Sequence, residues 1–129
     1  KLENPNLSLI SLAGFYNCNN YSVYGTRTIK SAEDFFPDKT FISCTGVTLD
    51  KQLTDISLNE IDTKQAMMKK SEETYLLVDH TKFEINGPFY LSDFTEIDCI
   101  ITDKYDYTPE TSETIRTITK KHGVRMITN

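Results

Sequence analysis

Asp79 and Lys82 stand three positions apart in "YLLVDHTKF" (75–83), directly after an apolar run. A carboxylate at the end of a buried strand needs partners, because an isolated buried charge is costly. Lysine can reach a phosphate or a carboxylate as a flexible point charge. Aspartate accepts hydrogen bonds from sugar hydroxyls. Together the pair suits a small, anionic, hydroxylated ligand. The competing reading is local. Asp79 opens an Asx-turn and Lys82 is solvated, a common use of Asp where a strand becomes a loop.

Two other stretches qualify on residue type. "ISCTGVTLD" (42–50) ends a strand in Thr45 and Gly46, where the absence of a side chain lets backbone approach a ligand. The same glycine serves equally well as a turn residue. "LAGFYNCNNYSVYGTR" (12–27) places Gly14 after a strand and Ser22 at the start of a helix, whose N-terminus attracts anions. Ser22 is also sufficiently explained as a plain cap. Asp103 follows "CIIT" as a second strand-end carboxylate, and reads as a turn residue because Thr108 is better placed to cap the next helix. The chain has no P-loop, no G-x-G-x-x-G and no defensible Ser-His-Asp order. His80 and His122 lack metal-ligand spacing, and Cys18, Cys44 and Cys99 form no C-x-x-C pair. No metal site and no cofactor is assigned.

The elements that would carry these residues alternate. Strand-like runs occupy 7–12, 39–47, 74–79, 98–103 and 124–128. Several are apolar on consecutive residues, which suits parallel strands covered on both faces. Between them lie helical segments. Residues 57–73 open with a Ser57/Glu60 capping box and place Leu58, Ile61 and Met68 on one face, with Gln65 between them. Another helix begins at Thr108-Pro109, turns Ile115 and Ile118 inward, and closes on Lys120, Lys121, His122 and Gly123. A third spans about 22–36, capped by Ser22 and stopped by Pro37, with Gly25 weakening it. Residues 86–94 break the alternation as a short strand or hairpin arm. This order predicts an α/β domain with a largely parallel sheet and flanking helices. Open sheets of this kind bind ligands beyond the carboxyl ends of their strands, where Asp79 falls.

Bulk properties narrow the class. At 129 residues the chain is the size of one domain, residues 1–129. A net charge of −5 opposes non-specific nucleic-acid binding by this segment. The basic cluster "TKKHGVR" is expected at a helix end, complementing its dipole. Cys44 and Cys99 fall in strand-like runs and read as buried reduced thiols of a cytoplasmic protein. The opening "KLENPNLSL" has no initiator Met and no apolar signal core, so it reads as a cut into a longer protein.

Five segments recur in a known order and spacing: "NPNLSLISLAG", "YSVYGTRT", "DKTFISCTGVTLDKQLTD", "IDTKQAMMKKSEETYLLVDHTKF" and "EIDCIITD". In that order they resemble the C-terminal effector-binding domain of DeoR-type bacterial transcriptional repressors, over nearly the whole chain. The resemblance implies a fold similar to ribose-5-phosphate isomerase and CoA-transferase domains, and a phosphorylated sugar as effector. Asp79, Thr81 and Lys82 match the family's D-x-[ST]-K element in the ligand cleft. Thr45 and Gly46 match its strand-end "TG", Gly14 the second glycine of its "GG", and Ser22 and Gly25 its S-x-x-G. Ala13 departs from the first glycine of that pair. A winged helix-turn-helix domain and the family's Gly-Thr-Thr-type loop lie outside the chain. The implied partners are therefore a sugar phosphate, DNA through the missing domain only, and further copies of the same chain. A sugar-phosphate isomerase is the alternative from another class.

Overall fold

The computed structural model describes residues 4–129. Four strands form a parallel sheet in the order β3-β6-β8-β9: β3 (Lys39–Ile42), β6 (Glu73–Leu77), β8 (Cys99–Thr102) and β9 (Arg125–Thr128). In register, Phe41 faces Tyr75, Tyr75 faces Cys99 and Cys99 faces Arg125. Strand order follows chain order, so every crossover steps the same way. Right-handed crossovers then place the connecting helices on one face. Accordingly Ile61 and Met68 of α2 (Leu58–Met68) and Ile118 of α3 (Pro109–Lys121) share one core with Ile42, Leu76 and Ile100.

The expected cover is complete on one face only. On the opposite face Tyr75 and Cys99 are buried, but Phe41, Leu77 and Ile127 are exposed. The run 7–12 is also not a strand. Leu7, Leu9 and Ile10 are exposed and no described residue offers them a ladder, without which extended backbone has no partners.

A second, antiparallel sheet was not expected in this form. The run expected at 39–47 divides at residues 43–45, and its end becomes β4 (Gly46–Thr48). That strand pairs with β5 (Gln52–Asp55), which pairs with β7 (Phe89–Ser92), the short strand expected within 86–94. The helix expected over 22–36 is shorter. Ser22 lies in a hairpin of β1 (Phe15–Asn17) and β2 (Ser22–Tyr24), paired with Asn17, and does not cap a helix. Gly25, at φ 104°, is the N-cap of α1 (Thr26–Glu33) and supplies a left-handed turn that Ser22 could not.

Helix α2 ends at Met68, because residues 73–77 are taken into the central sheet. Gln65 reaches across to donate to the Leu91 carbonyl at 2.7 Å, tying α2 to the smaller sheet. The Ser57/Glu60 capping box does not form. Ser57 has extended N-cap backbone but makes no side-chain cap bond, and Glu60 turns to Lys64 and Asn20 instead. The Thr108 cap does form, with Oγ1 accepting from Thr111 N–H and Pro109 in the first turn. Thr108→Ala is therefore expected to cost about 1 kcal/mol and Ser57→Ala under about 0.5 kcal/mol in urea unfolding, since only the first removes a cap bond. Equal losses would refute this assignment. No described helix is long and apolar enough to cross a membrane.

Candidate functional site

Three adjacent parallel strands, β6, β8 and β9, end at a crevice of about 390 Å³ lined by Leu77, Val78, Asp79, Ile101, Thr102, Asp103 and Asn129. Their backbones deliver the rim together because the ladders are in register to the last residue. Val78 N–H donates to the Ile101 carbonyl, and Asn129 N–H to that of Thr102.

Asp79 opens a single 3-10 turn over His80–Lys82. Its Oδ1 accepts the Thr81 amide at 2.9 Å and the Thr81 hydroxyl. These two bonds, the hydroxyl first, hold the Asp79 carboxyl below the usual aspartate range, with Lys82 adding a smaller effect. The turn thus contributes stability above the ordinary aspartate pKa and loses it as pH falls through the lowered one. The local Asx-turn is real, and it leaves Oδ2 without a hydrogen bond among the described residues. Lys82 donates its amide to the Asp79 carbonyl, and its half-buried side chain makes no described ion pair. Next along the chain, Phe83 bridges Val47 and Glu84 N–H donates to the Val47 carbonyl at 2.9 Å, so the segment after Lys82 runs beside β4.

Gly46 begins β4 in a tight place. A Cβ there would sit 1.9 Å from the Ile85 carbonyl oxygen, so the residue is needed for close passage of two backbones. Thr45 donates its hydroxyl to Asp55 Oδ1 at 2.9 Å, and Asp55 also accepts the Ile56 amide at 2.8 Å. Lys64 of α2 closes this group on Asp55 Oδ2 at 2.5 Å and reaches Glu60 at 3.7 Å. Asn20 then links Glu60 to Ser22, whose hydroxyl donates to Asn20 Oδ1 at 2.8 Å. A polar chain therefore runs from the β1–β2 hairpin to the strand end at Thr45. Beside it, burial and then the Asp55 charge push the Cys44 thiol up to about 12, so it is inert at neutral pH.

The predicted residues fall into two groups. Asp79, Thr81 and Lys82 share one turn, of which Asp79 lines the crevice, and the chain after it runs beside the strand that Gly46 begins. Gly14, Ser22 and Gly25 belong to the hairpin. A Cβ on Gly14 would lie 1.9 Å from Thr28 Oγ1, so its smallness serves packing against α1. No described hydrogen bond joins this group to the Asp79 turn directly. A larger groove of about 540 Å³, lined by Ile10, Leu12, Phe35, Phe36 and Phe41, is mostly apolar, with Ser8, Lys39 and Thr40 as its polar residues, and offers little to orient a hydroxylated anion.

Asp103, which reads in the sequence as a turn residue, has a larger part here. Its Oδ1 accepts the His80 amide at 2.7 Å and its Oδ2 lies 2.5 Å from His80 Nδ1, so it clamps the β8 end to the Asp79 turn. The hydrogen bond from His80 holds the Asp103 carboxyl below its usual range. Its pattern, an apolar strand ending in an acid, is the one that singled out Asp79. Asp55 and Lys64 were also missed, and no local pattern marks them.

Comparison with known proteins agrees with this architecture. Residues 2–104 match the family model of the DeoR C-terminal sensor domain. The transcriptional regulator GolR of Listeria innocua is 30% identical over 101 residues, 78% of this chain and 40% of its own length. The regulator IolR of Bacillus subtilis is 31% identical over 99 residues, 77% of this chain and 39% of its own. The deoxyribose operon repressor of Escherichia coli is 27% identical over 101 residues, again covering 40% of its length. The chain thus spans about two fifths of these relatives. A match over most of the chain, in regulators that share the same segment, makes this protein a member of the DeoR C-terminal sensor-domain family.

Proposed function

We propose that this domain senses a phosphorylated sugar and regulates transcription of carbohydrate-metabolism genes through a DNA-binding domain on the same protein. The observation that carries the reading is the Asp79–Thr81–Lys82 turn at the end of β6, where Asp79 lines the crevice, its Oδ2 accepts no hydrogen bond among the described residues and Lys82 makes no described ion pair. Lys82 supplies the charge for a phosphate and Asp79 Oδ2 an acceptor for a hydroxyl. Ligand binding would favour one arrangement of the domain and so change the operator affinity of the attached one. Membership in a family of regulators supports a regulatory role.

The alternative, a sugar-phosphate isomerase, requires a general base. Asp79 is a weak one, because its bonds to Thr81 stabilise the ionised form. A thermal-shift screen of the protein against sugar phosphates tests the proposal. Ligand binding to the native state raises the melting temperature by mass action, by about 2.7 kcal/mol of stabilisation at a hundredfold excess over Kd. The expected hit is a phosphorylated sugar whose unphosphorylated parent is inactive, with no isomerised product detected. No hit across the panel, or turnover of the hit, refutes the reading.

A further inference from the structure

His80 sits between the two residues that bind each other in the Asp79 turn, yet its ring belongs to a different assembly. Nδ1 lies on Asp103 Oδ2, and the Tyr105 ring stacks on the imidazole with centroids 3.7 Å apart and planes 5° from parallel. Tyr105 in turn packs edge-on against Tyr107, whose hydroxyl donates to the Asp103 carbonyl at 3.1 Å. One carboxylate and one stacked ring thus fix the imidazole plane. Nε2 has no hydrogen-bond partner among the described residues, while the side chain is 32% exposed, so ligand can reach it.

We propose that His80 is a second contact for the ligand phosphate, donating from Nε2 while Asp103 holds Nδ1. This rests on the sugar-phosphate reading of the crevice. Since Nδ1 already donates to Asp103, an Nε2 donor requires the doubly protonated ring. Binding a dianion therefore takes up one proton from solvent onto Nε2. The charged group against the ring is Asp103 from the end of β8, and Tyr105 is the titratable phenol on its face; Asp79 and Lys82 are the charged residues of its own turn. Imidazole is the side chain that ordinarily changes charge between pH 6 and 8, so a pH profile over that range tests for a histidine contact.

Sulfate is the probe, because it stays a dianion across this range. In NMR titrations of the full chain, sulfate is expected to bind at least about fivefold more tightly at pH 6 than at pH 8. The His80 ring resonances should move to the doubly protonated pattern, while those of His122 stay in place. His80→Gln should keep weak, Lys82-dependent binding with a profile flat to within about twofold. If sulfate binding depends on Lys82 but wild type and His80→Gln give the same pH profile, the His80 inference is overturned and the crevice reading stands. If neither sulfate nor any sugar phosphate binds, the crevice reading fails and takes this inference with it.

Discussion

Asp55→Ala is expected to be the most damaging single substitution in the domain, costing about 3–5 kcal/mol. Asp55 is 3% exposed, and its two oxygens serve three donors: the Thr45 hydroxyl, the Ile56 amide and the Lys64 ammonium. Removing it leaves the Lys64 charge, whose side chain is only 18% exposed, with Glu60 alone at 3.7 Å, and leaves Thr45 without its acceptor. The buried pair need not be a net gain over apolar residues of similar volume, since desolvation opposes the Coulomb attraction. The cost lies in breaking half of it. Asp55→Ala combined with Lys64→Met should therefore lose markedly less than the sum of the two single changes. Urea unfolding of the four proteins provides the cycle. A loss below about 1 kcal/mol for Asp55→Ala, or strict additivity, would show that the group is solvated in solution.

Lys82→Ala should weaken the effector while sparing the fold. A hydrogen bond to a charged group is worth about 1.5–3 kcal/mol, or roughly ten- to more than a hundredfold in affinity. Its ammonium makes no described ion pair, so little stability should change. Basal operator binding by the protein carrying this domain should persist while its response to effector is blunted. Asp79→Asn should also weaken binding, but less cleanly, because Oδ1 holds the Thr81 amide and hydroxyl. Calorimetric titration of wild type and Lys82→Ala with the sugar phosphate found in the thermal screen decides the matter. Affinities within about twofold, roughly 0.4 kcal/mol, would return the motif to a turn alone.

What could be read along the chain is what its neighbours in sequence enforce. Thr108, Pro109 and Gly123 bound α3 because caps act within a few residues. Asp79 closes its turn on Thr81 for the same reason, two residues away. The parallel strands at 73–77, 99–102 and 125–128 announced themselves as apolar runs separated by a helix or an irregular stretch.

Where the answer depended on a distant partner, the sequence was silent or misleading. Residues 7–12 have strand composition but pair with no described strand. Ser57 and Glu60 have capping-box spacing, yet Glu60 is drawn to Lys64 and to Asn20, forty residues away. The β4–β5 hairpin was legible in principle, since Asp50-Lys51 separates two short β-rich stretches, but its pairing with β7 comes from across the chain. Asp103 looked like a turn residue until the fold set it against His80, 23 positions earlier. Local hydrogen bonding and periodicity thus determined α3, the parallel core strands and the Asp79–Lys82 turn from sequence alone. Only tertiary packing decided that Asp55 and Asp103 are held, because their partners lie far along the chain and a buried or clamped Asp differs from a solvated one in its surroundings.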